Sequence, residues 1–405
     1  MIAARPTLDA IRAEFPALQS STVFFENAGG SQVPRSVADA VRDYMLESYV
    51  NYGAPYPESE SAGETVRQAH ALVNLMMNGI GLGEVILGAS TSQLCRMLAD
   101  CYLEVLQPGD RVVVAASGHE ANIGPWMRLA QFGIDVQLWP LDRDAEACTL
   151  EDLLPLLNPR TKIVAFPHVS NLTGHVMDVA AVAEVAHAAG AEIVVDGVAY
   201  APHSAIDVAA WKADWYVYST YKVYGPHMGA LFGTHEALGK LTGPSHFFIP
   251  RDAWPTKFEL GAISHEGCAA ILGLAPYLRF LAGSETLSRA DVRTAFETME
   301  HYERQATRRM IDFLVADSRY RVVGPKSSGS ERVGTIGFLH RDRSPAEIAD
   351  RAGAAGIGMR SGHMYSYRLC EGLGIDPATG VARVSFAHYN TVDEVDRLIA
   401  VLETL

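Results

Sequence analysis

The sequence predicts an α/β protein built on a mainly parallel sheet covered on both faces. Two patterns predict it. From about residue 64, short apolar runs rich in valine and isoleucine alternate with amphipathic helical stretches, and a strand buried on both faces needs a continuous apolar run. The ends of those runs carry small polar and ionisable residues, and the C-terminal strand ends of such sheets are where ligands bind. At 405 residues the chain exceeds one small core, so more than one domain is expected.

Taken in order, residues 1 to 60 read as an N-terminal arm with one good helix, "SVADAVRDYMLESY", contributing to a small domain. "ETVRQAHALVNLMMNGIG" reads as an amphipathic helix ending at glycine. Then come the strand "EVILGAS", the helix "QLCRMLADCYLEVLQPGD" and the strand "RVVVAAS". "IDVQLWPL", "KIVAFPHVS", "EIVVDGV", "DWYVYST" and "GALFG" complete seven apolar runs in a large domain over residues 61–284. The texture changes near residue 285. A long helical pattern, "RTAFETMEHYERQATRRMIDFLVAD", leads to strand "VGTIGFLH", helix "PAEIADRAGAAG", strand "ARVSFAH" and helix "TVDEVDRLIAVLETL". Residues 285–405 therefore read as a small C-terminal α/β domain.

Composition excludes several classes. Hydrophobic residues make up 48% and charged residues 20%, and the net charge is −14 from 33 basic and 47 acidic residues. Nucleic acid and anionic membranes need a concentrated basic face, so neither is an expected partner. The five cysteines are scattered, with no C-x-x-C pair, which argues against disulfides or a zinc site and for a reducing cytoplasm. The N-terminus lacks the apolar run of a secretory signal. "GCAAILGLAPYLRFLAG" comes closest to a membrane span, and Pro276 and Arg279 interrupt it.

The strand ends carry the chemistry. "GAST" follows "EVIL" and opens a helix, where backbone N–H groups with the Ser90 and Thr91 hydroxyls form an anion site. His119 follows "RVVVAASG", Asn171 follows "KIVAFPHVS", Asp196 ends "EIVV", and Lys222 lies just past "DWYVYS". Singly, each has an ordinary reading as a cap, a turn or a solvated side chain. Together they sit on successive strand ends of one sheet and should converge in one crevice. A lysine able to lose its proton forms Schiff bases, a buried carboxylate pairs with a protonated pyridine nitrogen, and a ring covers a flat cofactor. Those are the needs of pyridoxal 5'-phosphate (PLP).

The motifs then carry a resemblance. "FFENAGGSQVP", "GHEANIGPW", "HVSNLTG", "VDGVAYAPHSAIDV", "YSTYKVYGP" and "RVSFAHYNTVDEVDRL" resemble the class V aminotransferase family of fold-type I PLP enzymes, near its cysteine desulfurase and selenocysteine lyase branch. The resemblance covers nearly the whole chain. It implies Lys222 as the Schiff-base lysine, Asp196 at the pyridine nitrogen and His119 stacked on the ring. Asn171 would lie beside the ring hydroxyl or the substrate, Ser219, Ser90 and Thr91 would hold the phosphate, and Tyr221 would adjoin the cofactor. Arg383 would take the substrate carboxylate, with Asn27 and Arg360 also on the substrate side. It implies too a small amino-acid substrate and a homodimer with sites at the subunit interface.

Departures from that family bear on the reaction. In the loop "MRSGHMYSYRLC", Tyr365 stands where the branch carries its nucleophilic cysteine, and Cys370 comes five residues later in a helical stretch. Ala199, Tyr221 and Ala262 replace a glutamine or histidine, a histidine and a threonine. These changes leave a PLP electron sink and remove the usual persulfide carrier. The reading expected first is β-elimination from a cysteine-derived amino acid, of the C–S lyase type. Transamination, epimerisation and decarboxylating deamination stay open on the same scaffold, followed by true desulfuration and by a non-catalytic PLP-fold binding protein.

Overall fold

A computed structural model describes residues 5–405. Thirteen strands follow in chain order: β1 (Val23–Phe24), β2 (Gly83–Gly88), β3 (Arg111–Ala115), β4 (Asp135–Trp139), β5 (Thr161–Pro167), β6 (Glu192–Asp196), β7 (Trp215–Ser219), β8 (Gly229–Thr234), β9 (Tyr320–Val323), β10 (Thr335–His340), β11 (Ile357–Gly358), β12 (Arg360–Gly362) and β13 (Val381–Ser385). Seven of them form one sheet in the order β2-β8-β7-β6-β5-β3-β4. β4, β3, β5, β6 and β7 are parallel, and β8 runs antiparallel to both its neighbours. Strand order reverses beside β3 and β5, which opens a crevice at their C-terminal ends.

The continuous apolar runs have a direct physical cause. Along β3, Val112 and Val114 enter one core and Val113 enters the other, all with no exposed surface. Ile163 and Val164 on β5 divide in the same way, as do Val194 and Val195 on β6. Burying each such side chain on a two-faced sheet stabilises by roughly 1.5–3 kcal/mol. The helix from Pro57 ends at Met77 with Asn78 in the left-handed region, one residue before the glycine at which the pattern predicts its end. Asparagine tolerates that conformation better than most residues.

A second, antiparallel sheet has the order β12-β13-β10-β9. Residues of the helices Arg289–Ala316, Pro345–Ala354 and Val392–Leu402 share its core, among them Met310, Ile348 and Leu398. The N-terminal arm serves both units. β1 pairs in parallel with β11, whereas the helix Arg35–Glu47 packs on the helices His265–Leu272 and Leu274–Ala282. Among the described residues, no helix is long and apolar enough to cross a membrane, and no cluster of side chains suits a metal ion.

Candidate active site

Lys222 is aimed by a turn that other parts of the chain hold shut. β7 is buried throughout, and the chain leaves it through a single 3-10 turn, Thr220–Lys222. Thr220 Oγ1 accepts from Met228 N at 3.2 Å and donates to Pro226 O at 2.5 Å. From the far N-terminal arm, Ser31 Oγ accepts from Tyr224 N at 2.9 Å, and Ser31 N–H and Oγ both donate to Tyr221 O. Tyr224 has φ +60°, a left-handed conformation costly for a bulky residue. These bonds stabilise it and leave the lysine pointing into the crevice.

The strand-end residues converge there. Lys222, Asp196, His119, Asn171, Ser219 and Thr91 line one small cavity, with Tyr221 beside them. Desolvation, then the positive charge of Arg383, bring the Lys222 amine down to about 8; Asp196 opposes the shift and Arg360 adds to it. Burial raises the Asp196 carboxyl above its ordinary value, against a hydrogen bond from Val198 N–H at 3.0 Å and the charge of Lys222. The His119 imidazole falls to about 4, through burial and then the charges of Lys222 and Arg383. It is neutral at pH 7, and its Nδ1 accepts from Ala121 N–H at 3.0 Å, so its proton sits on Nε2.

The hydroxyls at the start of the helix Thr91–Leu103 divide their work. Thr91 Oγ1 and Ser219 Oγ lie 2.7 Å apart at the cavity wall, at the start of the helix Thr91–Leu103. Ser90 Oγ is taken as that helix's N-cap, accepting from Gln93 N–H at 3.2 Å. Ser92, which the sequence reading passed over, lines the cavity where Ser90 does not. The signal that could have found it is the helix start itself, whose first-turn residues all stand near the unpaired N–H groups. Tyr221 lies flat on His227, with ring centroids 4.8 Å apart.

Arg383, Arg360 and Asn27, expected on the substrate side, differ in what they have left to offer. Arg383 is buried, with Nη1 donating to Asn171 O at 2.8 Å and Nε without a partner among the described residues. Arg360 pairs through Nε with Glu26 Oε1 at 2.5 Å. Glu26 was also absent from the sequence reading. Asn27 sits apart from the cavity lining: its Nδ2 donates to Ser385 O at 2.8 Å and Asn390 Oδ1 at 3.0 Å, and its Oδ1 accepts from Tyr389 OH at 2.5 Å. Its amide knits the arm to β13, with its N–H groups spent on Phe24 O, Ser385 O and Asn390 Oδ1.

The Tyr365 loop is tied down at several points. Asn171 Nδ2 donates to Met364 O at 2.8 Å, and its Oδ1 accepts from Ser366 Oγ at 2.7 Å. Glu120 N–H donates to Tyr365 O at 2.9 Å, and Arg368 Nε pairs with Glu120 at 2.8 Å. Met364 and Tyr365 both have positive φ, +48° and +62°. Two such non-glycine residues in succession cost on the order of 1–2 kcal/mol each, which these contacts offset. Tyr365 is 63% exposed, and its ring stands beside His119, with centroids 5.1 Å apart. Cys370 is fully buried in the helix Tyr367–Gly372, and desolvation raises its thiol to about 11.

These residues fit PLP on their chemistry. Asp196 is a buried carboxylate that accepts from one backbone donor and, among the described residues, has no ion-pair partner at contact distance; such a group would suit a protonated ring nitrogen. The hydroxyl pair at a helix start suits a phosphate, and the neutral imidazole suits a flat ring.

Comparison with known proteins agrees. The chain is 36% identical to the aminotransferase-like protein FGM3 of Gibberella zeae over 98% of both chains. It is 30% identical to the cysteine desulfurase CsdA of Escherichia coli, over 96% of this chain and 95% of that one. The crystal structure of CsdA in its S-sulfonic acid form superposes with a TM-score of 0.84 at 26% identity, over 99% of this chain and 98% of that one. The Aminotransferase class-V family model matches residues 23–398. With the seven-stranded sheet and the lysine crevice already described, the chain belongs to the class V aminotransferase family and is a PLP-dependent enzyme of the fold-type I class, acting on amino acids.

Proposed function

We propose that this enzyme is a lyase that removes a substituent from the β-carbon of a cysteine-derived amino acid without a persulfide on the protein. The observation that carries the reading is a buried lysine, its amine lowered by desolvation, in a crevice whose lining among the described residues holds no thiol. PLP, when bound, supplies an electron sink conjugated to the substrate nitrogen. Lys222 Nζ takes and holds the proton from Cα, which its lowered pKa suits near neutral pH. Asp196 keeps the pyridine nitrogen protonated. Neutral His119 would cover the ring, and Thr91, Ser92 and Ser219 would hold the phosphate. Arg383 orients the substrate through its carboxylate. Asn171, whose amide is committed to the Tyr365 loop, positions that loop, and Tyr221 walls the phosphate end.

Tyr365 is assigned the mouth of the crevice. A phenol donates a hydrogen bond and, unlike a thiolate, does not accept sulfur. Tyr365→Phe should therefore lower kcat about tenfold, the worth of one hydrogen bond, while PLP stays bound. Tyr365→Cys asks whether a thiol at this position brings sulfide release back. Sulfide and alanine made from cysteine by the unaltered enzyme, and abolished by Cys370→Ser, would overturn the assignment.

The reaction itself is tested by incubating the holoprotein with amino acids and cysteine S-conjugates. Pyruvate and ammonia are the expected products. Conversion of the cofactor to its amine form without pyruvate would move the reading to transamination. We also place the enzyme in a homodimer. Phe247 and Phe248 are 96% and 68% exposed, Leu260 is 64% exposed, and such a surface favours cover by a second copy. Sedimentation of a fully active monomer would refute this.

A further inference from the structure

β12 and β13 run antiparallel, and Arg360 stands directly opposite Arg383 in their register. Directly paired residues leave a sheet on the same face, a few ångströms apart. Each guanidinium is only half used. Arg383 spends Nη1 on Asn171 O at 2.8 Å, which leaves the Nε edge, where Nε is buried without a partner among the described residues. A buried donor without an acceptor calls for an explanation, and a ligand oxyanion is one. Arg360 spends Nε on Glu26 at 2.5 Å, and no hydrogen bond engages its two terminal nitrogens among the described residues. A guanidinium offers a fork along either edge, and each fork matches one oxyanion. Two forks therefore remain, side by side, and one α-carboxylate fills only one of them. Asn171, whose carbonyl takes Arg383 Nη1, lines the Lys222 crevice, so the paired arginines stand beside that crevice.

We propose that the enzyme selects amino acids carrying a second oxyanion on the side chain, with the α-carboxylate on Arg383 and a side-chain carboxylate or sulfinate on Arg360. This rests on the reading that an amino acid enters the Lys222 crevice, and it names the substrate class. Glu26 is the internal counter-ion that holds the Arg360 fork in position. The ion pair is partly exposed, with Arg360 54% and Glu26 32% accessible. Exposed pairs contribute little, so a substrate oxyanion can join the arginine without first breaking a strong contact.

The test is a binding titration of the holoprotein, followed by cofactor absorbance and by melting temperature. The ligands are L-aspartate, L-glutamate and L-cysteine sulfinate, each set against L-asparagine, L-glutamine or L-alanine. At least one acid should bind tenfold or more tightly than its neutral counterpart. Arg360→Met should erase that preference, so that acid and neutral counterpart bind within about twofold of each other, and Arg360→Lys should restore part of it. Arg360 is half exposed, so these variants are expected to fold, and an unchanged cofactor spectrum would check it. Equal affinity for acids and neutral ligands, or a preference that survives Arg360→Met, overturns the subsite alone. A holoprotein whose spectrum no amino acid changes overturns the subsite and the proposed function together.

Discussion

Lys222→Ala should yield a protein without covalently attached cofactor, with turnover reduced by about three orders of magnitude or more. Two roles are lost at once, the attachment point and the base at Cα. The unaltered lysine carries a second, finer expectation. Its amine sits at about 8 because desolvation and the charge of Arg383 outweigh Asp196, whereas an ordinary lysine lies near 10.4. Only the neutral amine captures an aldehyde. Cofactor-free protein mixed with PLP should thus develop its absorbance faster as pH rises, about tenfold per unit up to pH 8, and then level off. A rate still climbing steeply at pH 9.5 would place the reactive amine outside this crevice, as would cofactor recovered on a different lysine.

Asp196→Asn should be the next most damaging change. It keeps the shape and removes the charge that keeps the pyridine nitrogen protonated. Losing one preorganised electrostatic partner costs about 10²–10³ in kcat, and the cofactor absorbance should shift as the ring nitrogen loses its proton. Stability should move the other way in cofactor-free protein. Burial raises the Asp196 pKa in the fold, so the unfolded chain ionises more readily. The ionised group then destabilises the fold at pH 7, and this cost fades as pH falls through the raised pKa. Cofactor-free Asp196→Asn should melt at a higher temperature than the parent at pH 7, with the gap closing in acid. A lower melting temperature at pH 7 would mean that the carboxylate has a structural partner.

The sheet and its lysine were legible because two-faced burial forces continuous apolar runs. Such runs locate strand ends to within a residue or two. β6 ends at Asp196, and β3, β5 and β7 end three or four residues before His119, Asn171 and Lys222 for that reason. What distinguishes Ser90 from Ser92 is not in the pattern. Both are small hydroxyls at a helix start, and only the three-dimensional path decides which one caps and which one faces the cavity. Asn27 shows the same limit. Its motif points to the site, yet its amide is consumed by Ser385, Asn390 and Tyr389, residues far along the chain. Glu26 was illegible too, because its meaning comes from Arg360 across the β1–β11 junction.

The Ser31 brace on the Lys222 turn bears on the order in which the molecule can assemble. The residues that close the turn lie 190 positions apart in the chain. Closures over such lengths come late, because their entropy is lost before the contacts form. The central strands need no help from the arm to bury their valines. During refolding, tryptophan fluorescence from Trp126, Trp139 and Trp215, all fully buried, should recover before the protein gains the ability to capture PLP. A polypeptide shortened past Ser31 should keep much of its sheet and take up cofactor poorly, so the segment that looks most dispensable at the start of the chain governs when the lysine becomes usable.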